Sequence, residues 1–221
     1  RQFCGGESIS KSEGTVAKLF ASDIRTILDF SAEGKESESD FNRAAKETMA
    51  SIEKAKVDER IPFGVFKPTG LARMGLLEKL NEGEQLTKEE KEEKSMVMLR
   101  IRGIILSSVE NEVPVHVDAE ESWIQGAVDE IVYDLMLEFN KDRVMVFNTV
   151  QLYRKDRLDY LNKTIERAKK DGIKSGFKLV RGAYMEKERE RAENMGYPSP
   201  IHDTKEDTDR DYDLAIDACL D

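Results

Sequence analysis

Apolar positions near the start of the chain recur at helical spacing. Val16, Leu19, Phe20, Ile24, Ile27 and Leu28 fall on one face, and a charged loop over residues 31–40 separates them from a second amphipathic stretch. After residue 60 the period changes. Short apolar segments appear at 61–67, 113–118, 143–150 and 176–181; each is too short for a helix, and the second and third are rich in valine. Helical stretches separate them. Residues 87–108 carry Met96, Leu99 and Ile105, residues 122–139 carry Ile124, Val128, Ile131, Val132 and Leu135, and residues 153–170 carry Leu158, Leu161, Ile165 and Ala168. A further helix spans 186–195. Thr87 followed by Glu90 has the spacing of a capping box, which fixes one helix start.

Strands alternating with helices predict a parallel sheet covered by helices. The last strands begin about 30 residues apart, the length of one strand–helix unit. An open dinucleotide-binding sheet would need Gly-x-Gly-x-x-Gly after its first strand, and Phe66-Lys67-Pro68-Thr69-Gly70 does not supply it. The alternative is a (β/α)₈ barrel, of which 221 residues fall short, since a complete one takes about 250.

The net charge of −10 leaves no basic stripe for a nucleic-acid backbone. Cys4 and Cys219 stand at opposite ends of the chain, which predicts free thiols in a reducing compartment rather than a disulfide or metal framework. His116 and His202 are too few for a histidine-rich metal site, so no metal is expected. The longest apolar runs, such as Ile104-Ile105-Leu106, cannot span a bilayer. The first residues, Arg1 to Gly6, have neither an initiator methionine nor the pattern of a signal peptide, and the chain is expected to be cut from something longer.

In a barrel, chemistry gathers where strands end. All four segments here finish on polar groups: Lys67, Asp118-Ala119-Glu120-Glu121, Asn148-Thr149-Val150-Gln151, and Arg181-Gly182-Ala183-Tyr184. Alternation puts His116 with Asp118, Phe147 with Thr149 and Gln151, and Lys178 with Val180, Gly182 and Tyr184. A lysine, a carboxylate and an amide can hold the polar edge of a planar heterocycle, and Gly182 would let a flat ligand approach the backbone. Each residue alone is equally explained as a solvated strand end, a helix cap or packing. Spacing therefore supports a barrel-type enzyme of open chemistry.

The segment Lys178-Leu179-Val180-Arg181-Gly182-Ala183-Tyr184-Met185-Glu186-Lys187-Glu188-Arg189 closely resembles the fourth-strand signature of the proline dehydrogenase family. Phe66-Lys67-Pro68-Thr69-Gly70-Leu71, Val117-Asp118-Ala119-Glu120 and Asn148-Thr149-Val150-Gln151-Leu152-Tyr153 resemble its first, second and third strand motifs, in order. The resemblance implies a distorted (β/α)₈ barrel holding FAD, which oxidises L-proline to Δ¹-pyrroline-5-carboxylate and passes the electrons to a quinone. It implies that Lys67 contacts the substrate carboxylate, Tyr184 packs near the proline ring and Asp118 sits beside the flavin. Val117, Ala119, Gln151, Val180, Arg181 and Gly182 are implied to line the FAD, with Lys178 near the flavin N5. That makes Lys67, Asp118, Lys178 and Tyr184 the candidate catalytic residues.

The domain reading is an N-terminal helical arm over 1–60 and the first half of the barrel, strands one to four with their helices, over 61–221. The resemblance places the later strands, and a paired arginine that clamps the proline carboxylate, beyond Asp221. The chain alone is expected to be inactive. A barrel oxidoreductase for another cyclic imino acid such as hydroxyproline, or a non-catalytic half-barrel assembly module, are the alternatives. A cytoplasmic location is expected, with peripheral contact at the inner membrane to reach the quinone.

Overall fold

The four apolar segments pair side by side in chain order. In the computed structural model, β1 (Gly64–Phe66), β2 (Val115–Val117), β3 (Val146–Gln151) and β4 (Phe177–Val180) form one sheet of order β1-β2-β3-β4, parallel throughout. The structure describes residues 5–30 and 36–220; Cys4, residues 31–35 of the charged loop and Asp221 lie outside the described residues. The strands are shorter than their apolar segments because pairing holds only where neighbours align, from Gly64 opposite Val115 to Gln151 opposite Val180.

The helices are α1 (Ile9–Phe20), α2 (Glu38–Lys56), α3 (Met74–Glu82), α4 (Lys88–Asn111), α5 (Ser122–Phe139), α6 (Arg157–Asp171), α7 (Met185–Met195) and α8 (Lys205–Leu220). The Thr87 capping box starts α4 as read, with both reciprocal bonds present. α6 begins later than the apolar spacing from Tyr153 suggests. Leu152 and Tyr153 still donate backbone bonds to Val180 and Arg181, so the chain stays extended beyond β3. α3 and α8 have no counterpart in the sequence reading; α8 opens on acidic residues that mask its apolar spacing.

The start of the chain departs from expectation. α1 stops at Phe20, and Asp23 takes a left-handed backbone with φ 61°, a conformation that breaks a helix. Residues 24–30 then run without regular structure, pinned by Thr26 N–H on the Arg60 carbonyl at 2.9 Å. Ile24 and Ile27 are exposed, whereas Leu28 and Phe30 pack on the core.

Sheet and helices pack around two apolar clusters, a small one of Val150, Leu152, Leu161 and Ala215 and a large one. Phe66, Val115, Val117 and Val146 meet Leu76, Leu77, Ile101, Ile104, Ile105, Ile124 and Met136 from the helices, and Ala45, Ile52 and Ala55 of α2 join them. Each fully buried aliphatic side chain contributes about 1.5–3 kcal/mol. α2 lies so close to β1 that a Cβ on Gly64 would stand 2.7 Å from Ile52 Cγ1, so only glycine fits there. Among the described residues β4 pairs with β3 alone, and its four residues are only half-buried.

Candidate active site

Residues that alternate with this core line the opposite face of the sheet, which in a closed barrel is its interior. They stack in layers. The lower layer is aromatic: Phe63 lies 4.4 Å from the His116 ring at a 33° tilt, and Phe147 meets both edge-on at 5.7 and 5.2 Å. Burial, and then the Lys178 ammonium, lower the His116 pKa to about 4, so this floor carries no charge at neutral pH.

One step toward the strand ends the layer becomes ionic. Lys178 Nζ lies 2.5 Å from Asp118 Oδ1, and Lys67 Nζ lies 3.7 Å from Asp118 Oδ2. Lys67 also meets Asp29 Oδ2 at 2.9 Å, a carboxylate from the irregular segment after α1. Two lysines thus face two aspartates, all less than a third exposed. Thr149, beside Lys178 in register, turns its hydroxyl to the Val117 carbonyl at 2.8 Å.

Gln151 stands one layer further out, opposite Val180, and is 2% exposed. Its Nε2 donates to the Glu120 carbonyl at 3.0 Å, which fixes the amide, and its Oε1 has no hydrogen-bond partner among the described residues. A buried acceptor left unpaired costs about 1–3 kcal/mol, so this oxygen calls for an N–H donor from a ligand. The polar edge of a flavin carries such a donor, and a flavin fits this set of an ammonium, an amide oxygen and a carboxylate.

The structure therefore brings together Lys67, Asp118, Lys178, Gln151 and Val180. Ala119 is buried beside them in the loop after β2. Tyr184 precedes α7, where its backbone N–H donates to the Tyr153 hydroxyl at 3.3 Å.

Three expected cofactor residues sit otherwise. Val117 faces the helices, in the core with Phe66, because it alternates with His116 and Asp118. Arg181 turns to α8, with Nε 2.7 Å from Asp209 and its guanidinium over the Tyr212 ring. Gly182 does face a ring, but that of Tyr153. A Cβ there would fall 2.3 Å from Tyr153 Cδ1, and φ is 135°. Glycine at 182 thus makes room for the Tyr153 ring. Burial, then Glu188, push the Tyr153 phenol up to about 12, so it stays protonated and neutral.

Two further residues belong to the site: Asp29 escapes sequence reasoning, and Glu120 is marked there only as part of the polar end of the second strand. Asp29 lies far from the strands in sequence, although Leu28 and Phe30 packing on either side of it leave it an opposite face. Glu120 is 2% exposed, and its carboxylate accepts the Thr69 backbone N–H at 2.8 Å and the Thr69 hydroxyl.

Parallel strand–helix units in chain order, with an ionic layer at the strand ends above an aromatic floor, are the architecture of part of a (β/α)₈ barrel. The sequence model of the proline dehydrogenase family matches residues 12–221. The chain belongs to the proline dehydrogenase family. It is 34% identical over 215 residues to the carbapenem antibiotics biosynthesis protein CarD of Pectobacterium carotovorum subsp. carotovorum, covering 97% of this chain and 56% of that protein. It is 41% identical over 134 residues to the mitochondrial proline dehydrogenase 1 of Arabidopsis thaliana, covering 60% of this chain and 27% of that one. Proline utilization A from Bdellovibrio bacteriovorus, solved after inactivation by N-propargylglycine, superposes with a TM-score of 0.81 at 23% identity, over 96% of this chain and 23% of that protein. That likeness shows the shared fold. The chain spans 56% of CarD and 27% of the Arabidopsis enzyme.

Proposed function

We propose that the protein containing this chain is an FAD-dependent dehydrogenase that oxidises L-proline to Δ¹-pyrroline-5-carboxylate and delivers the electrons to a quinone. The observation that carries this is the paired-lysine layer, Lys67 and Lys178 about Asp118, beneath the unpaired Gln151 Oε1. Bound FAD supplies the two-electron acceptor that none of these side chains can provide. The chain's own residues bind and orient. Lys67 offers a cation to the proline carboxylate, in competition with Asp29. Asp118 holds both ammonium groups in place, and Lys178 puts positive charge where a reduced, anionic flavin is favoured. The neutral His116 and its aromatic neighbours keep water from below.

The domain reading goes with this function: residues 61–221 build the first half of the barrel, and residues 1–60 form an arm that lends it Asp29. The quinone requires at least transient contact with a bilayer, which fits a cytoplasmic enzyme peripheral at an inner membrane. No helix among the described residues is long and apolar enough to cross one. The test is direct. The purified full-length protein should carry flavin absorbance, lose it on anaerobic addition of proline, and recover it with a soluble quinone. A colourless protein, or one whose spectrum proline does not change, refutes the reading.

A further inference from the structure

Glu120 occupies a junction between three strand ends, and we infer that it and Thr69 are positioning residues for Lys67. The inference rests on the proposed function only in taking Lys67 as the carboxylate-binding cation. Directly after Lys67 the chain makes a 3-10 turn, Pro68–Gly70, closed by Gly70 N–H on the Lys67 carbonyl at 3.0 Å. No side chain caps that turn at its own start. It is held from outside by the buried Glu120 carboxylate, which receives both the backbone N–H and the hydroxyl of Thr69. The same residue's carbonyl orients Gln151, and its N–H donates to Gln125 Oε1 at 2.9 Å.

Glu120 is itself braced. Gln125 Nε2 donates to Asp129 Oδ1 at 2.9 Å, and Asp129 pairs with Arg157 of α6 at 2.8 Å, both side chains 5% exposed or less. A continuous set of hydrogen bonds therefore runs from the helix layer to the turn that carries Lys67. Charge-assisted bonds of this kind are short and directional, so they set geometry as well as stability. Lys67 has to stay within a fraction of an ångström of its working place, and the flexible lysine stem cannot supply that alone. Glu120 touches neither substrate nor cofactor in this scheme. It works through the backbone of the Lys67 turn.

Thr69→Val in the full-length protein removes the hydroxyl and keeps shape and backbone N–H. The proline KM should rise about tenfold, less than the hundredfold of a full 1 Å displacement. kcat and the flavin-to-protein absorbance ratio should stay within about twofold of wild type, since the change removes ground-state binding. Thr69→Ser, which keeps the hydroxyl, should restore the KM. In a Lys67→Met background Thr69→Val should add less than about twofold, because the residue through which it acts is gone. Glu120→Gln should show the same coupling to Lys67→Met. A flat KM in Thr69→Val, an equal penalty in both backgrounds, or no rescue by serine overturns the inference. If the wild type does not oxidise proline, the functional reading fails by itself. The positioning role is then read from the Lys67 side-chain resonance in isotopically labelled protein, which should move in Thr69→Val and not in Thr69→Ser.

Discussion

Lys67→Met in the full-length protein isolates the step that matters most for substrate recognition. Methionine keeps most of the side-chain volume beside Val65 and removes the charge. A charge-assisted hydrogen bond to a carboxylate contributes about 1.5–3 kcal/mol. That gain is not free, because Lys67 already holds Asp29 at 2.9 Å in a partly exposed pair. Such pairs are worth about 0.2–1 kcal/mol, and a substrate carboxylate that displaces Asp29 forfeits that much. The difference, about 0.5–2.8 kcal/mol, corresponds to a fall of about 2- to 100-fold in kcat/KM, carried mainly by KM. Steady-state kinetics with proline and a soluble quinone measure it, beside the flavin absorbance ratio. Asp118 keeps Lys178 at 2.5 Å in the variant, so flavin content should stay near normal. A flat proline KM with lost flavin or a lowered Tm would show that Lys67 only holds the fold, and would refute the reasoning.

Three further outcomes follow from the geometry. The His116 pKa of about 4 lies below the ordinary 6.5, so the unfolded chain takes up the proton first and stability falls as pH drops from about 6.5 to about 4. The loss approaches about 3 kcal/mol, and denaturant titrations across that window should show a slope that His116→Phe reduces; an unchanged slope counts against a neutral floor. Glu188, fully buried, accepts both the backbone N–H and the hydroxyl of Ser122 at 2.6 Å, so Glu188→Ala should cost about 1.5–3 kcal/mol in a urea melt. Ser122→Ala should cost less because one bond survives, and equal losses would contradict that account. The isolated chain of 221 residues should bind FAD weakly or not at all and show no proline turnover; dye reduction by that chain would refute the expectation.

The strands were legible because valine-rich segments buried among helices leave a strong local signal; their polar ends marked Lys67 and Asp118, Lys178 came from alternation and the resemblance, and the fold sets the three side by side. Alternation also carried the parity of His116 and Gln151. It equally puts Val117 on the helix face, against its transferred cofactor role, and here the local rule described the placement better than the motif did. Arg181 follows the same rule: it alternates with Lys178 and Val180 and so shares the Leu179 face, where α8 supplies the Asp209 carboxylate and the Tyr212 ring. Asp29 stayed hidden, and Glu120 was marked as a polar strand end without a role, for another reason. Their partners lie 38 and 51 residues away, and nothing in the local pattern of either announces such a contact. The same holds for Gly182, whose neighbour in space is a tyrosine from the preceding unit.

The unbroken order β1-β2-β3-β4 has a consequence in time. Every strand finds its partner in the segment made just before it, so no pairing waits for a distant part of the chain, and loop closure stays inexpensive at each addition. During synthesis at about 5–20 residues per second, each completed strand–helix unit presents a fresh edge on which the next strand can register. The ionic layer assembles along the same course: Lys67 emerges first, Asp118 next, and Lys178 last. Asp118 meets Lys67 before Lys178 exists, so the carboxylate shared by the two lysines in the finished structure has a single partner while the sheet is three strands wide. Lys67 meanwhile has Asp29, made earlier still, as its nearer partner at 2.9 Å.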